Sequence, residues 1–217
     1  MCIRDRYIGI KRMLKNIKDF ICMHLNFKVY NVTVAAIIAA LAIAPCVMFL
    51  PESYGFENGV LENLQLIVLF LGFIFALMAK DNKKFFYFVA MIIAVLAIRE
   101  VNCFRTVFFA IPGEINEFYT WDQIKFGWLY HPIYGLFIAY VAFYFLKNKL
   151  FLTAWEMLKN TKLPVWNILL MLSGMLLGVI AESVFANTLF EESAELLFYV
   201  SLTGIIYLYV FDKDYNL

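Results

Sequence analysis

Apolar residues fall in blocks along this chain. Six blocks approach the length of about 20 residues that a helix needs to cross a bilayer: 32–50, 61–79, 85–108, 127–146, 165–186 and 189–211. Polar breaks separate them. Residues 51–55 carry Pro51 and Gly55, residues 80–84 are all charged or polar, Pro112-Gly113 marks a turn within the loop 110–125, and Lys147-Asn148-Lys149 closes the fourth block. The predicted fold is all-α, a polytopic transmembrane bundle of six spans at 31–211 with a polar cytoplasmic tail at 212–217.

The third block is irregular. Its uninterrupted apolar run starts at Phe85 and ends at Ile98, after 14 residues. Arg99, Glu100 and Asn102 therefore lie within the outer part of the span, or the bilayer thins there. The first block also reads as a signal peptide ending at Ala44, but Pro45 would follow the cut and the run exceeds an ordinary signal core of about 7–15 residues.

Before the first span, residues 1–30 form a basic amphipathic segment. Ile10, Leu14, Ile17 and Ile21 share one helical face and Lys11, Lys15 and Lys18 another, the pattern of a helix lying on an anionic membrane surface. A solvated basic tail that only sets orientation is the alternative. Residues 1–6 read as translated sequencing adapter, which makes Met13 or a later position a candidate native start. Phe151, Trp155 and Leu158 suggest a second interfacial helix before Pro164. Thr120 with Gln123, and Thr188 with Glu191, fit capping boxes at two helix starts.

Composition sharpens this picture. The chain is 64% hydrophobic and 16% charged, against roughly 45–50% and about 25% for a soluble domain. The formal net charge of +1 gives no reason to expect nucleic acid as a partner; the expected partners are the lipid bilayer and a lipid or small cationic ligand. Of the 18 basic residues, 15 fall on the side shared by both termini, which the positive-inside rule makes cytoplasmic. The expectation is an inner-membrane protein, taken as bacterial, with both ends inside. Trp121 and Trp128 would then mark the outer interface, Trp155 and Trp166 the inner one. The four cysteines lack metal-ligand spacing and read as free thiols; a disulfide between Cys46 and Cys103 is the alternative.

Acidic residues show the opposite asymmetry, 11 of 17 lying in the outer half or beyond it. The hairpin 173–207 gathers several of them. Gly174, Gly178, Glu182 and Ala186 recur every four residues before its turn; Glu195, Tyr199, Thr203 and Tyr207 do so after it. A short connection makes the two helices antiparallel neighbours, which brings Glu182 near Glu192 and Glu195. Arg99 and Glu100 are consecutive and point about 100° apart on a helix, so each should take its partner from another helix, with Glu62, Glu182 and Glu195 the candidates for Arg99. Glu191 reads as a cap. Clustered carboxylates must be neutralised by an arginine or keep a proton.

The candidate ligand-binding set is thus Glu62, Arg99, Glu100, Arg105, His131, Glu182, Glu192, Glu195 and Tyr199, an outward-facing pocket for a cationic or zwitterionic group such as a lipid headgroup. No catalytic residue, metal or cofactor is assigned. A membrane-embedded lipid hydrolase or transferase would require at least three of Glu62, Glu100, His131, Glu182 and Glu195 to converge on one void. A proton- or cation-coupled transporter would require a polar track from Glu195 past Tyr199 to Tyr207. Purely structural acids would each be capped or paired, with no void. In that last case the Gly174/Gly178 stripe means close helix packing. No GxSxG, HExxH or phosphate-loop pattern occurs.

Overall fold

Long apolar runs satisfy their backbone hydrogen bonds internally only as helices when water is absent. The computed structural model describes residues 23–114 and 116–215. The amphipathic helix expected at 10–21 lies outside these residues. Eight helices follow in order: α1 (Asn31–Phe49), α2 (Val60–Leu77), α3 (Lys83–Glu100), the single turn α4 (Arg105–Phe108), α5 (Tyr130–Lys147), α6 (Leu150–Asn160), α7 (Val165–Ile180) and α8 (Thr188–Phe211). Among the described residues the regular structure is helical but for a two-residue parallel pairing of β1 (Leu25–Asn26) with β2 (Leu163–Pro164) and a single antiparallel bridge between Ala110 and Phe118. Five helical segments are long and apolar enough to cross a membrane, or six if α3 and Asn102–Phe108 count as one broken span. This is consistent with an integral membrane protein.

The third span expected at 85–108 is not one helix. After Glu100 the chain bends by 51°. Asn102, Cys103 and Phe104 all take positive φ, at 42°, 49° and 67°. Asparagine tolerates that left-handed region; cysteine and phenylalanine do so at a cost. The break therefore ends α3 at its two charged residues.

The C-terminal helix α8 is the axis of the bundle. It packs along α1, α2 and α7, and α3 packs on α2. Its buried residues include Ala194, Leu197, Tyr199, Ile206 and Leu208, and of these Tyr199 and Ile206 join Leu69 and Ala76 of α2 and Phe86, Ala90 and Ile93 of α3 in one core cluster. By contrast α5 buries only Val141, and touches α3 and α6 at the rim. Helix α6 leaves Phe151, Trp155 and Leu158 exposed while Leu150 and Met157 are buried, as an interfacial helix would. Cys46 and Cys103 are both free, so the disulfide alternative fails. Thr188 is not a cap. Asn187 takes that role, accepting from the Phe190 N–H at 2.8 Å, because a short amide one residue earlier already meets the orphan donor. At the other expected capping box the Thr120 N–H does donate to Gln123 Oε1, at 2.9 Å, but the long helix starts only at Tyr130.

One face of the bundle carries the loops after α1, α3 and α7. There the Asn58 side chain donates to the Thr106 carbonyl, and a Cβ on Gly55 would stand 2.9 Å from the Leu189 nitrogen. This far face holds the candidate site. The opposite face carries β1, β2 and residues 212–215. Residues 212–215 of the expected tail are tied in: Lys28 Nζ and Tyr30 Oη donate to Asp214 Oδ2 at 2.8 and 2.7 Å. The buried Tyr215 ring lies against Tyr30 and Tyr209.

The Lys28 ammonium and the Tyr30 hydroxyl hold the Asp214 carboxyl below its usual range. A depressed carboxyl stabilises the fold above its ordinary pKa and ceases to do so as pH falls through the folded value. Protection of the amides of residues 25–30 against hydrogen exchange, taken relative to the intrinsic rate at each pH, should therefore be unchanged from neutral pH down to the ordinary carboxyl range and fall below it. Asp214→Asn should show the faster exchange already at pH 7. Equal exchange in the two proteins at pH 7 would contradict the clasp.

Candidate functional site

Four helical segments deliver polar groups to the far face. The last turn of α3 brings Arg99 and Glu100. The first turns of α8 bring Glu191, Glu195 and Tyr199 at four-residue spacing, with Glu192 one position round. The first two turns of α2 bring Glu62 and Gln65. After Ile180 helix α7 widens into a π-helical turn, Ala181–Phe185, that carries Glu182. Ala186 then takes φ 47°, so the four-residue register expected through Ala186 is lost at its end. Such wide turns recur at functional sites.

Arg99 is the hub. Its Nη2 donates to Glu195 Oε1 at 2.9 Å and to Tyr199 Oη at 3.2 Å. The interhelical partner was correctly sought in Glu195, whereas Glu62 and Glu182 make no ion pair with Arg99. The expectation that Arg99 and Glu100 cannot pair is overturned. Nε and Nη2 reach Glu100 Oε1 at 3.0 and 2.7 Å. The 100° offset holds along a continuing helix, but here the helix stops, and the long arginine side chain folds across one residue at the free end. Tyr199 closes the ring by donating to the same Glu100 oxygen at 2.6 Å. The Glu100 side chain is only 6% exposed and Glu195 25%, while Arg99 remains 54% exposed.

A second group lies behind this one, between α2 and α8. Gln65 is fully buried, and its Nε2 donates to the Glu192 carbonyl at 2.9 Å and to Glu192 Oε2 at 2.7 Å. Glu62, also buried, accepts from the Asn58 N–H through one oxygen. The other oxygen of Glu62 and the Gln65 carbonyl oxygen have no partner. Carboxylate oxygens of Glu100, Glu192 and Glu195 lie within 4.8 Å of one another.

In front of Arg99 a cleft of about 270 Å³ opens between α3, α7 and α8. Leu96, Met175, Val179 and Phe198 give it apolar walls, and Glu182 and Glu191 add carboxylates beside Arg99 and Glu195. The two glycines of the stripe differ. A Cβ on Gly174 would stand 2.6 Å from the Phe198 nitrogen and 2.8 Å from the Ala194 carbonyl oxygen, so Gly174 is where α7 and α8 meet backbone to backbone. A Cβ on Gly178 would meet nothing nearer than Glu195 Cγ at 3.7 Å. Gly178 therefore leaves room in the cleft instead of closing it.

Two expected site residues lie elsewhere. Arg105 donates to the Tyr119 carbonyl at 3.3 Å and stands over the Phe118 ring, pinning the loop after α4. His131 is exposed, edge-on to Trp121 and Tyr130. Of the five residues proposed as hydrolase ligands, only Glu100 and Glu195 share the three-carboxylate cluster. The polar track proposed below Tyr199 is interrupted. Thr203 donates to the Val68 carbonyl at 3.2 Å against Gly72, and Tyr207 packs on Phe75 and Phe211.

Gln65 and Glu191 stand outside the candidate set drawn from the sequence, although Gln65 shares a face with Glu62 three residues before it; Glu191, read there as a cap, lines the cleft four residues before Glu195. Comparison of the chain with family models, curated proteins and solved structures returns no match.

The glycine geometry makes a direct prediction. Gly174→Ala forces two backbones apart and should destabilise the protein by about 1–3 kcal/mol, as overpacking does. Gly178→Ala should leave thermal unfolding in detergent unchanged within about 0.5 kcal/mol. Equal loss in both variants would contradict the assignment of Gly178 to the cleft.

Proposed function

We propose that this chain is an integral membrane protein, of a bacterial inner membrane and with both termini cytoplasmic, whose far-face cleft binds a zwitterionic lipid headgroup. The half-exposed Arg99 guanidinium at the mouth of an apolar-walled cleft carries this reading. Arginine within a bilayer costs about 2.5–3.5 kcal/mol at the centre and less toward the interface, and it normally turns inward to a partner. Arg99 has its partners, Glu100, Glu195 and Tyr199, yet over half of its side chain stays open. Among the described residues its Nη1 carries no protein hydrogen bond, which leaves a donor for a phosphate oxygen.

The remaining groups complete the chemistry. Glu182 and Glu191 line the same cleft without an ion pair among the described residues, and suit the ammonium end of a zwitterion. Leu96, Met175, Val179 and Phe198 offer a surface for the first acyl carbons. The acid excess around one arginine disfavours a purely anionic headgroup. The unequal distribution of lysine and arginine supports the orientation, on which the cleft would open toward the outer leaflet.

Delipidation followed by native mass spectrometry tests this. The wild-type protein should retain phosphatidylethanolamine over phosphatidylglycerol, and the Glu182→Gln/Glu191→Gln double variant should lose that preference by about tenfold, the order of one charge-assisted hydrogen bond. Glu195→Gln should weaken retention as well, by loosening Arg99. Equal retention of the two lipids by the wild type would overturn the reading.

A further inference from the structure

We infer that Glu62, Gln65, Glu100, Glu192 and Glu195 form a second, internal site for a hard divalent cation of about the size of Ca2+, at the junction of α2, α3 and α8 behind the headgroup cleft. The juxtaposition comes first. Three carboxylates from two helices put one oxygen each within 4.8 Å of the others. A hard cation takes such oxygens at about 2.3–2.6 Å, so ligands on opposite sides of it stand no farther apart than roughly twice that distance. The three oxygens can therefore surround one ion without the helices moving apart.

Acidic clusters alone are common. This one has an independent mark in Gln65. Its side chain is 0% exposed, and its amide reaches Glu192, a member of the cluster, while the amide oxygen has no hydrogen-bond donor. A buried carbonyl oxygen left unpaired costs about 1–3 kcal/mol. One turn earlier on α2, Glu62 is 4% exposed and its Oε1 is equally unpartnered. Glu192 lies within the electrostatic reach of Glu62, Glu100 and Glu195. Two buried oxygens without a donor thus sit on the α2 face that meets Glu192, and carbonyl plus carboxylate oxygens are the donor set of Ca2+.

Charge points the same way. Arg99 is bonded to Glu100 and Glu195 and supplies one positive charge. Glu62 and Glu192 have only uncharged donors, the Asn58 N–H and the Gln65 amide. With all four carboxylates ionised the junction is left with three negative charges, which a buried location tolerates poorly. A divalent ion removes two of them. It also ties the start of α2 to the start of α8 and to the end of α3, where the side-chain links among the described residues are now Gln65–Glu192, Arg99–Glu195, Arg99–Tyr199 and Tyr199–Glu100.

The site does not rest on the lipid reading, since its ligands include Glu62, Gln65 and Glu192, none of which lines the cleft. The test is chelator-stripped, full-length protein in detergent, given Ca2+ alone. Equilibrium dialysis should find one Ca2+ bound per chain, and thermal unfolding should shift upward by several degrees at saturating Ca2+. Glu192→Gln should weaken the apparent affinity at least tenfold, and so should Gln65→Leu, which keeps the bulk at the α2–α8 contact but loses the carbonyl. Glu117→Gln, on an exposed loop of the same face, should bind as the wild type does. No Ca2+ uptake by the wild type would overturn the site, as would loss in Glu117→Gln equal to that in Glu192→Gln. Lipid retention measured on the same preparations separates a failed ion site from a failed headgroup cleft.

Discussion

A guanidinium that ends a long apolar helix draws counter-charge to itself, and this fold answers that constraint at one point. Arg99 is bonded to an acid of its own helix and to an acid and a tyrosine of α8. Since α8 also packs on α1, α2 and α7, whatever fixes α3 to α8 fixes the far end of the bundle. The break after Glu100 serves the same pairing. By ending α3 there, it frees the arginine side chain to fold back over Glu100 and lets Tyr199 bridge the two.

Around that pair the polar groups divide into two layers. The layer facing the cleft is open, with Arg99, Glu182 and Glu191 beside apolar walls. The inner layer is closed, with Glu62, Gln65 and Glu192 between helices. Glu100 and Glu195 belong to both. This sharing gives a physical route by which occupation of one layer would be felt in the other: a ligand that draws Arg99 outward exposes the charge of Glu100 and Glu195 to the inner group. Coupling of this kind is reciprocal by linkage.

Much of the architecture was legible in the amino-acid order. Uninterrupted apolar runs announce helices long enough to cross a bilayer, and the 14-residue run before Arg99 announced that the third would be abnormal. The kink itself was not legible, because it depends on Cys103 and Phe104 taking a left-handed backbone that their side chains disfavour. The need for an interhelical acid narrowed the partner of Arg99 to Glu62, Glu182 or Glu195, and the fold selects Glu195. Its pairing with Glu100 did not, since helical geometry forbids it anywhere but at a helix end. Arg105 and His131 were drawn into the pocket by residue type alone. Their true neighbours are aromatics of the loop before α5 and of its first residue, Tyr130, which hydrophobic periodicity does not place. Gly174 and Gly178 looked equivalent in spacing, and only the approach of Phe198 and Ala194 to one of them separates packing from cleft.

The claim on which the account turns is that Arg99 and Glu195 compensate each other across α3 and α8. A double-mutant cycle on thermal unfolding in detergent, with Arg99→Gln, Glu195→Gln and both together, measures that directly. The account predicts a coupling of about 1 kcal/mol or more, above an exposed surface pair and below a fully buried one. Single effects that add to within about 0.5 kcal/mol would contradict it.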